Sequence, residues 1–223
     1  ILGSYYLTID EAGAKGEGMV FSSKDEAMMA YLNGDISIHA KVGVRFEKEI
    51  DGKIVRKIIY TTIGKIIFND SIPQDLGFVD REDPEKALDL EVDFTVTKKT
   101  VGKIISKCIK VHGIPKTAEV LDNIKALGYK YSTKGAITVS IADVIVPDEK
   151  KDILAASEAK VDEITKQYKR GLISNEERYN SVIKVWDKAT NDITDAMIKN
   201  FDELNPIYMM ATSGARGNMK QIR

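Results

Sequence analysis

Arg216 sits between Gly214-Ala215 and Gly217, with almost no side chain beside it. A backbone so bare can approach a partner closely, and the planar guanidinium can then donate to two phosphate oxygens at once. A plain loop arginine fits the same residues, and both readings stay open. A second glycine-rich run, Gly13-Ala-Lys-Gly16-Glu-Gly18, has the wrong spacing for a phosphate loop, and Ile63-Gly64-Lys65 lacks the upstream glycine, so each reads as a turn. His39 lies among strand-like residues and His112 at a helix end, with no second histidine near either in sequence; both are expected as surface or capping residues. Cys108 falls on an apolar stripe and reads as a small buried hydrophobe. No closely spaced aspartates of the kind that hold two Mg²⁺ ions occur, and no nucleophile comes with an obvious base. The sequence therefore predicts no catalytic residue, no metal site and no cofactor bound by the chain itself.

Composition narrows the class further. The chain has 223 residues, 43% of them hydrophobic, enough for a real core and for two small domains. Lys plus Arg (33) nearly balances Asp plus Glu (34), so no global field points to nucleic acid or to an anionic membrane. The last nineteen residues, Asn205 to Arg223, hold no acid and three bases, Arg216, Lys220 and Arg223, and form the best local basic patch. One cysteine excludes an internal disulfide, which fits a reducing, cytoplasmic setting. The N-terminal apolar run is too short for a signal peptide or a span. A start without Met and an end on Gln-Ile-Arg suggest a piece of a longer chain.

The elements that must position these residues come in four parts. Residues 1–98 are expected to be β-rich. In them Val42, Val44 and Phe46 alternate with Gly43 and Arg45, and Asp51-Gly52 supplies a tight turn before Lys53-Ile-Val-Arg-Lys-Ile58. Ser23-Lys-Asp-Glu26 opens a helix that stops at Asn33-Gly34. The stretch from Gln74 to Glu91, with seven acids, reads as a surface excursion. Residues 99–147 read as two short helices, the first ending at His112-Gly113 and the second at Gly128, then a strand or extended segment closed by Pro147. Residues 148–203 give the strongest signal, an antiparallel helical hairpin. Leu154, Ser157, Val161, Ile164 and Tyr168 form one seam; Tyr179, Val182, Trp186, Ala189, Ile193 and Ala196 form the facing one. Arg170-Gly-Leu-Ile173 ends the first helix, and Ser174 with Glu177 restarts the second as a capping box. At 1.5 Å per residue the arm is roughly 34 Å long. A hairpin packed into a larger core and an exposed docking arm both fit that spacing; charged residues outside the seams favour the arm. Residues 204–223 form a Gly/Arg terminal segment, expected to lack order from Ser213 onward, in which Met209-Met210 read as core packing or as ligand contact.

Several of these runs resemble the largest (beta-prime) subunits of bacterial RNA polymerase. The resemblance rests on Asn205-Pro-Ile-Tyr-Met-Met-Ala-Thr-Ser-Gly-Ala-Arg-Gly217 with Gln221-Ile-Arg223, on Gly171-Leu-Ile-Ser174 and on Glu177-Arg-Tyr-Asn-Ser-Val-Ile-Lys-Val-Trp186. Tyr5-Tyr-Leu-Thr8, Ala14-Lys-Gly-Glu-Gly-Met19, Thr61-Thr-Ile-Gly-Lys65 and Ile141-Ala-Asp-Val-Ile-Val-Pro147 follow the same order, so essentially the whole chain is covered. The resemblance implies an α+β piece of that subunit, lying between its Mg²⁺-binding aspartate loop and its bridge helix and trigger loop. It would comprise a pore domain beside the secondary channel, followed by a helical funnel whose coiled coil forms the channel rim. Arg216 and Met210 would then face the triphosphate of the incoming nucleotide, and Arg170, Gly171, Leu172 and Ile173 would dock transcript-cleavage-type factors. Asn180 matches a residue of an alarmone pocket found in some relatives, although Lys184 stands where those relatives have an acid. Implied partners are the beta, alpha, omega and sigma subunits, with nucleic acid bound only in the full complex, and Mg²⁺ held outside this stretch. Two alternatives are a free-standing coiled-coil adaptor and a small phosphate-binding enzyme built on Lys15 in the Gly13–Gly18 loop.

Overall fold

The computed structural model describes residues 1–50, 53–83 and 86–218, with Ile50 and Lys53 described by their backbone. These fall into two compact units, one of residues 1–138 with 209–218, the other of residues 139–208. Residues 99–138, set apart from 1–98 by sequence, thus pack with them. Among the described residues no helix is long and apolar enough to cross a membrane.

The first unit begins with α1 (Leu2–Thr8), followed by β1 (Val20–Phe21), α2 (Lys24–Leu32), β2 (Lys41–Ile50), β3 (Lys53–Thr62), α3 (Ile63–Asn69) and α4 (Lys98–Lys134). Strand β2 lies between β1, which it pairs in parallel, and β3, which it pairs antiparallel from Lys41↔Thr62 to Ile50↔Lys53. The hairpin expected from alternation is therefore present; its Asp51-Gly52 turn lies outside the described residues. Alternation sends Val42 and Val44 inward beside Ile59 and Thr61, while Arg45, Ile58 and Tyr60 face out. Helix α2 starts as expected: the Ser23 hydroxyl accepts from the Glu26 amide, and Gly34 follows its end with φ 77°.

Helix α1 is pressed against two neighbours where glycine is required. A Cβ on Gly64 would stand 1.9 Å from the Leu7 carbonyl oxygen, and one on Gly3 would stand 1.9 Å from the carbonyl oxygen of Gly128. Gly128 therefore marks a helix crossing and not a helix end, and α4 continues six residues further, to Lys134. The other predicted break is real: Gly113, at φ 74°, kinks α4 into two helices. Around these contacts lie two cores. Leu7, Val42, Val44, Ile63, Ile66 and Tyr131 fill one; Phe68, Val92, Val96, Ile104, Cys108 and Val120 fill the other. Cys108 is buried, as its stripe predicts.

Three expectations are corrected here. First, residues 74–91 are no solvated excursion: Leu76, Ala87, Leu88 and Leu90 are buried in spite of the acids between them. Irregular backbone needs partners, and side chains supply them. Asn69 donates to the Lys65 and Val92 carbonyls and accepts from the Val92 amide, and buried Glu91 accepts from the Phe78 amide and pairs with Arg81. Second, His39 is buried, its Nδ1 3.3 Å from the Ile9 carbonyl and its ring edge-on to Tyr6 at 4.6 Å. Third, the segment before Pro147 forms no strand: it is irregular with one 3₁₀ turn, Ile141–Asp143, and leaves Ile141 94% exposed. Its apolar run has no strand to pair with among the described residues. His112, by contrast, lies near the surface as expected and pairs with Asp75 at 2.6 Å.

Two predictions follow from this packing. Gly64→Ala should cost at least about 2 kcal/mol in urea unfolding, since backbone must move, whereas Gly102→Ala, which meets nothing within 4 Å, should add about 0.5–1 kcal/mol. Burial of His39 holds its imidazole below the ordinary value, against smaller opposing effects of the Ile9 carbonyl, Glu11 and Asp10. The unfolded chain therefore takes up this proton first. The stability contributed by neutral His39 is fully present above about pH 6.5 and is lost as pH falls through its lower folded value. Urea midpoints taken from about pH 7 to about pH 5.5 should fall, and His39→Gln should flatten that slope whatever it does to absolute stability.

Candidate functional site

The second unit is built around α5 (Lys150–Lys169) and α6 (Asn175–Asn200), joined by residues 170–174. The turn is closed by its own backbone. Gly171, at φ 74°, donates from its amide to the Tyr168 carbonyl at 2.9 Å, and the Leu172 amide donates to the Gln167 carbonyl at 3.1 Å, a Schellman closure. The restart is equally complete. The Ser174 hydroxyl accepts from the Glu177 amide at 3.2 Å while the Glu177 carboxylate accepts from the Ser174 amide at 2.8 Å. The Ser174 amide first, and the Ser174 hydroxyl second, hold the Glu177 carboxyl below its ordinary range. Arg178 adds a brace, donating to the Asn175 side chain and lying 5.4 Å from the Tyr168 ring centre.

This arrangement presents the predicted tip residues together. Arg170 and Gly171 are exposed, Ile173 is half-buried, and Leu172 is 69% exposed. In such closures the residue after glycine often folds back onto the helix. Leu172 does not, and it stands out as an apolar knob on a turn with its polar groups satisfied. Helix α5, with 20 residues, is roughly 30 Å long.

The seams are narrower than the sequence suggests. Ser157 and Ala189 are buried at the waist, and Leu154, Val161, Ile164, Val182, Ile193 and Ala196 are half-buried. Tyr168, Tyr179 and Trp186 are exposed. Small residues let the helices approach closely, and the half-buried Val185 takes the place expected for Trp186. Asn180 is exposed on α6 and stands apart from the groove of about 270 Å³ that runs between the helices beside Ser157 and Ala189. That groove brings Lys160, Lys184 and Lys188 together, with Asp192 at one end. Only the i, i+4 pair Lys184 and Lys188 was visible in the sequence; Lys160 joins them through the helix pairing.

Met210 and Arg216, the residues expected on a substrate side, belong to the first unit. The last helix, α7 (Pro206–Ser213), buries Met209 and leaves Met210 half-buried. Ser213 is buried and donates from its hydroxyl to the Met210 carbonyl at 3.2 Å, and the Arg216 amide donates to the same oxygen at 3.3 Å. Gly214, at φ 74°, lies against Lys98. The segment is thus tied down through Arg216, whose side chain is exposed; residues 219–223, including Lys220, Gln221 and Arg223, lie outside the described residues. No group of three or more His, Cys, Asp or Glu that could hold a metal ion occurs among the described residues.

One mixed α+β unit and one unit built on an antiparallel helical hairpin thus make up the chain. Residues 1–144 match RNA polymerase Rpb1, domain 3, and residues 173–223 match RNA polymerase Rpb1, domain 4. The chain belongs to the RNA polymerase Rpb1 family. It is similar to the DNA-directed RNA polymerase subunit beta' of Acetivibrio thermocellus, with 61% identity over all 223 residues, and to those of Clostridium botulinum (strain Eklund 17B) and Clostridium beijerinckii, each 57% identical over the same length. The chain spans 19% of the length of these curated relatives.

The turn geometry makes its own prediction. Ser174→Ala removes the acceptor for the Glu177 amide and should destabilise the start of α6 by about 1 kcal/mol, seen as faster amide exchange in its first turn with α5 little changed.

Proposed function

We propose that this chain is a channel-forming and factor-docking part of a bacterial RNA polymerase largest subunit, serving DNA-templated RNA synthesis within the assembled enzyme. The observation that carries this reading is Leu172, 69% exposed at the end of a hairpin whose turn is fully capped. An apolar anchor on a pre-ordered tip loses little conformational entropy on binding, which suits docking of a separate protein. Arg170, Gly171 and Ile173 frame the anchor, and a transcript-cleavage-type factor is the expected occupant.

In the same reading residues 1–98 line the secondary channel through which nucleoside triphosphates enter. Arg216, exposed beside Gly217, and Met210 lie on its substrate side, where a guanidinium would steady phosphate charge. The beta, alpha, omega and sigma subunits are the neighbours, Mg²⁺ is held by another part of the largest subunit, and the setting is the cytoplasm. Asn180 remains a candidate for an alarmone contact that would need a bound factor to complete it. A free-standing adaptor could use the same arm, but identity of 61% along the entire chain to a polymerase subunit favours the polymerase.

The test is a reconstituted polymerase carrying Leu172→Asp. Factor-stimulated cleavage of a backtracked transcript should fall at least about tenfold, the equivalent of about 1.4 kcal/mol of docking energy, while RNA extension without the factor stays unchanged. A full factor response in this variant would overturn the docking assignment.

A further inference from the structure

Between Asp93 and Glu119 the chain carries no acidic residue but six lysines, at 98, 99, 103, 107, 110 and 116. With 34 acids among 223 residues, a stretch of that length would ordinarily hold about four. Most of it is the first half of α4, whose buried side is set by Ile104 and Cys108. At about 100° per residue, Lys99, Lys103 and Lys110 fall close together on the opposite side. All three are exposed, and none has an ion-pair partner among the described residues. Lys107 differs, because its ammonium turns to the Gly77 carbonyl and lies over the Phe78 ring.

We propose that this ridge binds the phosphate backbone of duplex DNA without regard to sequence, a contact made by the first unit and independent of the hairpin. Three features favour that partner over an acidic protein surface. The exposed residues beside the lysines on the ridge are Gly102, Ser106 and Ile109, of which Ile109 alone is apolar and none is aromatic, whereas protein interfaces are depleted in lysine and centred on clustered aromatic and apolar anchors. Nothing lies within 4 Å of a Cβ placed on Gly102, which leaves room for a close backbone. The span from Lys99 to Lys110 is roughly 16 Å, about five phosphates at 3.4 Å along one strand of a duplex. The lack of an aromatic platform also argues against a single strand, which is held chiefly by base stacking. The hairpin lysines Lys160, Lys184 and Lys188 serve as the internal comparison, since acids such as Asp192 stand among them.

The experiment uses the 223-residue chain, a fluorescein-labelled random-sequence duplex, and anisotropy titrations over a salt series. The triple variant Lys99→Gln/Lys103→Gln/Lys110→Gln is compared with Lys160→Gln/Lys184→Gln/Lys188→Gln, each checked for native helix content by circular dichroism. The ridge variant should bind at least about tenfold more weakly at low salt, and its plot of log K against log salt should be shallower by about 2 to 3, near 0.9 for each lysine lost. The hairpin variant should match the parent chain. No binding by the folded parent, equal loss in both variants, or competition by poly-glutamate as effective as by unlabelled duplex would each overturn the proposal.

Discussion

The fold of the first unit depends on two places where backbones touch. Helix α1 packs on α3 and α4 through Gly64 against Leu7 and through Gly3 against Gly128, at distances that no side chain could share. Such contact fixes α1 to within a fraction of an ångström, because close-packed interiors yield little. The rest then has a reference. Leu7 enters the core beside Ile63 and Ile66; Thr8, held by the Ser4 carbonyl, accepts from the Val96 amide at 2.7 Å; and Ile9 presents its carbonyl to His39. Lys65, next to one of these glycines, has only 6% of its side chain exposed and pairs with both Asp10 and Asp93, which lie far apart in sequence.

That last contact helps explain how the described residues between 72 and 96 stay in place without helix or strand. An irregular segment over a core must find partners for its backbone, and a net hydrogen bond contributes only about 1 kcal/mol, so several are needed. Asn69, Gln74, Arg81 and Glu91 provide them within one connected set: Asn69 to Val92 and Lys65, Gln74 to Asn69 and Glu91, and Arg81 to Ala87, Asp89 and Glu91. Glu91 is fully enclosed, and removing Arg81 would leave a buried carboxylate with only the Phe78 amide near it. The acids that made this stretch look solvated are partly the means by which it packs.

What the sequence made legible was whatever depends on neighbours along the chain. The capping box at Ser174, the glycine closure at Gly171, the alternation of β2 and β3 and the kink at Gly113 are local, and each could be read from residue type and spacing. The burial of His39 depends on Tyr6 and Ile9, some thirty residues away, and no pattern around His39 announces it. Gly128 looks like a helix end because its partner Gly3 lies at the other end of the unit's sequence. The run before Pro147 has strand composition, yet strand propensity has no effect without a second strand beside it. For the candidate site the tip was legible in full, since its order is local. The convergence of Lys160 with Lys184 and Lys188 and the outward turn of Tyr179 and Trp186 required knowing how α5 and α6 pair.

The same distinction bears on how the hairpin can work. Its seam is half-buried along most of its length and tightly closed only at Ser157 and Ala189, so it draws little stability from a core. Its ends are where order is enforced: Gly171, Ser174 and Glu177 satisfy the helix-terminal amides and carbonyls at the tip, while at the base Asn200 donates to Glu149 and Asn205 to the Asp143 carbonyl. On the docking reading proposed above, a partner that grips Leu172 would meet a tip whose helix-terminal polar groups are already satisfied by the chain itself.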